Sequence, residues 1–138
     1  SFIKKIHKDK SNLHTWVWHD YERILSQINP ENYKFESNEL ILKRAGLPNS
    51  PFMETHYIKN NFFIEEDYIV NNLKKIENIP GYIIQGRYDL ICPPVNAFKL
   101  NIGWKNSNIK FVNTAGHSSS DSGIMENIFI ALKKIINY

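Results

Sequence analysis

The sequence has a single cysteine, Cys92, so no disulfide framework forms within the chain and a reducing compartment is expected. No apolar run approaches the roughly 18 residues that a membrane span requires. Charge of one sign is lacking too: 17 basic and 14 acidic side chains leave a formal net charge of +3. The densest basic group, Lys4, Lys5, Lys8 and Lys10, reads as a solvated helix face, and no nucleic-acid partner is expected. No His, Cys, Asp and Glu cluster has metal-ligand spacing, and no glycine-rich phosphate loop occurs, so neither metal nor cofactor is expected. The start has no signal-peptide pattern, which points to the cytoplasm. It also lacks Met and opens on Ser-Phe-Ile-Lys-Lys, as a piece of something longer would.

What is present is 138 residues, 42% of them hydrophobic, enough for one modest soluble domain. Ser11 and Asn12 are good N-caps for a helix carrying Leu13, Trp16, Val17, Tyr21, Ile24, Leu25 and Ile28 at helical spacing, and Pro30 stops it. A short helix is expected around Glu39 to Ala45, ending at Gly46, with turns at Pro48 and Pro51. The stretch 53–63, METHYIKNNFF, is aromatic and ambiguous. A helix fits 65–77, with Tyr68, Ile69, Leu73 and Ile76 on one face.

After Ile79-Pro80 the pattern changes. GYIIQG reads as a short buried strand, 82–85. Pro93 and Pro94 suit the first turn of a helix that buries Val95, Phe98 and Ile102 and ends at Gly103. NIKFVNTAG supplies a second strand, 109–113, and Ile124, Ile128, Ala131, Leu132 and Ile135 stripe a last helix. Residues 79–138 therefore spell β-α-β-α, which implies parallel strands joined by a right-handed crossover. Residues 1–78 read as helix and loop. A two-stranded parallel sheet needs further partners, so partner strands from outside these residues are expected.

Asp89 follows the first strand and His117 follows the second, 28 positions on. Parallel strands place both loops at one sheet edge, where catalysis concentrates. An Asp accepting from one imidazole nitrogen leaves the other as a general base. Taken alone, Asp89 is equally a turn former and His117 an exposed loop residue.

The run IIQGRYDLICP, with Gly86, Arg87, Tyr88, Asp89, Cys92 and Pro93, followed by Trp104 and by Gly116-His117-Ser118, resembles the proline iminopeptidases of the α/β-hydrolase superfamily. ETHYIKNNFF is similar to that family's E-x-H-Y-F-x-x-x-F-F segment, with Ile58 in place of an aromatic. WHDYERILSQINP is similar to its W-x-x-W-E helix, with Tyr21 replacing the second Trp. Residues 31–51 do not match. The resemblance implies an α/β fold, the C-terminal part of an α/β-hydrolase (parallel β-α-β-α), preceded by helical cap segments.

The resemblance also implies a serine peptidase that releases N-terminal proline from peptides, with Asp89 as triad acid and His117 as base. The family's order is Ser, acid, His, with the Ser in a G-x-S-x-G turn, and no such turn occurs in these residues. The nucleophile is therefore expected in a missing N-terminal part of the same enzyme, and this chain by itself is expected to be inactive. The family motifs assign Glu22 and Glu54 to the cationic amine of proline and set Cys92 beside the proline pocket. Helical phase alone leaves Glu22 a solvated residue and puts Asp20 nearer the apolar stripe. Cys92 has a plain alternative as a buried small hydrophobe. The competing functions are another α/β hydrolase (esterase, amidase or epoxide hydrolase) and a non-catalytic interaction domain on the same scaffold.

Overall fold

The computed structural model describes residues 1–8, 11–29, 34 and 36–136. Two compact units divide the chain: Ser1–Ile24 with Pro30–Glu66, and Leu25–Asn29 with Asp67–Tyr138. Among the described residues no helix is long and apolar enough to cross a membrane.

The first unit is helical. Helix α1 spans Phe2–His7 and is capped by the Ser1 hydroxyl, which accepts from the Lys4 amide; Lys4 and Lys5 lie on it, exposed, as the solvated helix face expected of this basic group. Helix α2, Asn12–Leu25, begins where the caps predict, but its last turn stops short of Ile28. The predicted helix at 39–45 is α3, Asn38–Leu42, with the Ser37 hydroxyl accepting from the Leu40 amide. The ambiguous aromatic stretch is helix for most of its length: α4 runs Ser50–Lys59 with Pro51 in its first turn, where a missing N–H is harmless. A 3-10 turn follows at Asn61–Phe63, and all three of its residues have positive φ.

The core of this unit is narrow. Ile6, Ile41, Pro51, Thr15 and Thr55 are buried. The two threonines dispose of their hydroxyls by bonding back one turn, Thr15 to the Ser11 carbonyl at 2.9 Å and Thr55 to the Pro51 carbonyl at 2.5 Å. The Thr55 proton being spent, His7 must donate from Nε2 to the Thr55 oxygen, 2.7 Å away, which ties α1 to α4.

In the second unit the expected helix at 65–77 is corrected. Asp67 has φ 56°, which cuts the chain from what precedes it, and only α5, Tyr68–Asn71, and a 3-10 turn, Leu73–Ile76, form. Asn72 separates the two and spends its side chain on the Tyr68 carbonyl, the local bonding by which Asn competes with helix. Strands β1, Gly81–Gly86, and β2, Ser107–Val112, pair in parallel from Gly81 opposite Ser107 to Gly86 opposite Val112. Helix α6, Pro94–Gly103, is the crossover, and α7 spans Ile124–Ile136. This is the expected β-α-β-α order.

Val112, Ala115 and Ile124 are buried together, with Ile84 and Ile128 against them. Trp104, after α6, donates its indole N–H to the carbonyls of Ile76 and Ile79 at 2.9 and 3.0 Å, fixing the chain before β1. The expectation that Val95, Phe98 and Ile102 are buried is corrected: all three are exposed, because their face of α6 meets no covering element among the described residues.

Candidate active site

The two strand ends are brought together by glycine. A Cβ on Gly86 would overlap the backbone carbonyls of Ala115 and Gly116, so only a residue without one fits where β1 ends. Beyond it the loops are laced: the Arg87 amide donates to the Val112 carbonyl, and the Tyr88 amide to the Ala115 carbonyl, both at 3.0 Å. Arg87 also donates from Nε to Asn113 Oδ1 at 2.8 Å. The Arg-Tyr pair thus carries β1 onto the loop that follows β2.

Asp89 lies in this seam, 7% exposed. Its Oδ1 accepts from the amides of Ile91 (2.9 Å) and Cys92 (2.7 Å), a turn that fixes the carboxylate plane. Its Oδ2 accepts from His117 Nδ1 at 3.0 Å and from Gln85 Nε2 at 3.2 Å. Since Nδ1 carries the proton in this bond, a neutral His117 presents an unprotonated Nε2. The ring is partly exposed, and Nε2 has no partner among the described residues.

The His117 loop is held from its backbone. The Ser26 carbonyl accepts from the amides of His117 (3.0 Å) and Ser118 (2.8 Å), and Asp121 accepts from the Gly116 amide at 2.6 Å. Gln85, Ser26 and Asp121 had not been singled out from sequence. The one signal was Gln85 itself, a polar residue next to the end of a buried apolar strand.

Cys92 is exposed, which corrects the alternative of a buried hydrophobe. Its thiol is pushed up, first by the water that the surrounding loop removes and then by the Asp89 charge. The ligand atoms of Asp89, Cys92 and His117 lie within 4.8 Å of one another, a convergence that spacing did not suggest. A metal would need the thiolate that the raised pKa disfavours, and both Asp89 oxygens already accept hydrogen bonds. The cluster suits acid–base work better.

The first unit holds the other two carboxylates. Glu22 on α2 and Glu54 on α4 are hydrogen-bonded to each other, and burial followed by the neighbouring Glu54 pushes the Glu22 carboxyl up to about 8. The Trp18 indole N–H donates to Glu54 Oε2 at 2.7 Å and also reaches Glu22. Asp20, the alternative on the same helix, is 1% exposed and bound to Arg44 at 2.9 Å. Arg44 also bonds Glu36 at 3.2 Å and lies over the Trp16 ring. Of the two, Asp20 is paired with Arg44 and Glu22 is the one joined to Glu54. Phase placed Asp20 correctly on the inner side of α2.

A parallel sheet whose consecutive strand ends carry a bonded Asp and His, preceded by helices, is the arrangement of the C-terminal part of an α/β-hydrolase fold. No family model matches the chain. Its similarity to individual proteins is specific. It is 32% identical over 123 residues to the proline iminopeptidase of Arabidopsis thaliana, covering 86% of this chain and 31% of that protein. It is 35% identical over 121 residues to a putative proline iminopeptidase of Mycoplasma pneumoniae, covering 85% and 37%. Over a shorter stretch of 68 residues it is 43% identical to the proline iminopeptidase of Xylella fastidiosa, covering 49% and 22%. By these similarities the chain resembles the proline iminopeptidases over most of its own length, and it spans about a third of the length of relatives such as the first two.

Proposed function

We propose that the complete protein is a prolyl aminopeptidase and that this chain supplies its acid, its base and its amine-binding carboxylates. A Ser outside these 138 residues attacks the carbonyl of the N-terminal proline. His117 Nε2 takes the Ser proton and delivers it to the departing amine of the next residue, leaving a prolyl ester on the Ser. Water then attacks that ester, His117 taking its proton and returning one to the Ser. Asp89 holds the ring by Nδ1 and stabilises the imidazolium that forms in both steps. Glu22 and Glu54 bind the secondary ammonium of the substrate and take no part in bond making. Cys92 borders the proline ring.

The observation that carries this reading is the Glu22–Glu54 pair. Two carboxylates held against each other are costly, and a hydrolase of neutral esters has no use for them; a buried cation offsets the cost. The Asp89–His117 bond and the names of the relatives support the same reading.

Two measurements test it. The 138-residue chain alone should not turn over a chromogenic prolyl amide, and robust turnover would sink the missing-nucleophile assignment. In the complete protein, Glu22→Gln and Glu54→Gln should each lower kcat/KM for prolyl amides by about one to three orders of magnitude. Hydrolysis of a small neutral ester should stay near its parental rate. Equal losses on both substrates would make the carboxylates structural or catalytic and overturn their assignment.

A further inference from the structure

We propose that Trp18 is a positioning residue for the carboxylate pair: its indole N–H holds Glu54 against Glu22 in one arrangement. The inference rests on the amine-binding reading of the pair and adds a residue to it.

The geometry is local to α2 and α4. Trp18 and Glu22 are four residues apart on α2 and share a helix face. Glu54 comes from α4, with its Oε2 2.7 Å from the indole nitrogen. An indole N–H only donates and does not titrate, so it favours negative charge on whatever oxygen it meets. It also reaches Glu22 and there opposes the rise to about 8 that burial and the neighbouring Glu54 cause. The indole is held in place by the Phe2 ring, 6.3 Å away centre to centre, and lines an apolar hollow of about 240 Å³ with Phe2, Val17 and Tyr21.

The arrangement answers a problem of charge count. One ammonium needs one net negative charge. A pair that shares one proton offers that, and becomes more negative only when the incoming cation displaces the proton. Other groups nearby do not blur this. His19 has its pKa lowered, first by burial and then by Arg23, which favours its neutral form. Asp20 and Arg44 are bound to each other, and His7 on α1 is engaged with Thr55.

Steady-state kinetics on the complete protein test this, with Trp18→Phe beside Glu22→Gln and Glu54→Gln. Prolyl amide and a neutral ester are followed from about pH 6 to pH 9, a range that brackets the raised Glu22 pKa. Phe keeps the ring bulk and loses the donor. Trp18→Phe should raise KM for the amide about tenfold with kcat held, as loss of a hydrogen bond to a charged group implies. The ionisation governing amide kcat/KM should move to higher pH, because the donor that favoured the charged form is gone. Ester kinetics should not change. If Trp18→Phe leaves KM and the pH profile alone while both Gln variants weaken amide binding, the Trp18 assignment falls and the amine-binding reading stands. If amide and ester fall together in Trp18→Phe, its role is structural and the proposal is overturned. If none of the three variants moves KM, the amine-binding reading fails and takes this inference with it.

Discussion

A carboxyl that holds its proton up to about pH 8 makes Glu22 a burden on the fold in alkaline solution. The folded chain binds this proton more tightly than the unfolded chain, whose Glu titrates near its ordinary value of 4.5. Stability therefore falls as pH rises between those two values. Glu22→Gln removes the titration. Its thermal midpoint should match the parent near pH 5 and exceed it by a few degrees at pH 8, read by calorimetry at both values. A variant less stable than the parent at pH 8 would contradict the raised pKa. Arg44 is the opposite case. Arg44→Ala removes the guanidinium that bonds the buried Asp20 and covers the Trp16 ring, and should cost about 1–3 kcal/mol in urea unfolding, an effect that shrinks if Asp20 is also made Asn. Asp89→Asn keeps the shape of its loop but loses the carboxylate that, in the proposed reaction, stabilises imidazolium. In the complete protein kcat should fall by about 10³ to 10⁴, with KM much less affected.

At the scale of elements, the strands and the crossover helix were legible because their signals are local: an apolar run, a proline pair, a terminal glycine. The Asp89–His117 pair followed from strand order, which fixes where loops meet. The helix at 65–77 was not legible, because an apolar face with correct phase does not reveal that Asp67 takes a left-handed turn or that Asn72 bonds backward. The hydrogen bonds of Gln85 and Trp18 were not legible for a different reason: each exists only through a partner, and Trp18 lies 36 residues from Glu54. The bond between Asp20 and Arg44, 24 residues apart, was not legible for the same reason. The seam of the strand ends makes a prediction of its own. Gly86→Ala forces a methyl into two backbone carbonyls that cannot move without breaking the Tyr88 and Asp89 loops. Overpacking of side chains costs about 1–3 kcal/mol, and rigid backbone should push this substitution to the top of that range or beyond, measured by denaturant midpoint.

At the scale of the whole molecule, much apolar surface is open. Phe98 and Ile102 on α6, and Phe129 and Ile136 on α7, are all about half exposed or more. Side chains of this size at such exposure favour self-association. The 138-residue chain alone at micromolar concentration should bind a hydrophobic dye and elute early in size-exclusion chromatography; a dye-silent monomer would show that these faces are covered in solution. The sequence also holds one thiol, and the fold sets it in the open within 4.8 Å of the Asp89 and His117 ligand atoms. That makes Cys92 a ready attachment point for a spectroscopic reporter. A small fluorinated tag would enter at one place without any engineered substitution, coupling faster as pH rises because the thiol is pushed up. Its resonance would then follow the ionisation of the neighbouring imidazole directly, a titration read from inside the molecule without any turnover.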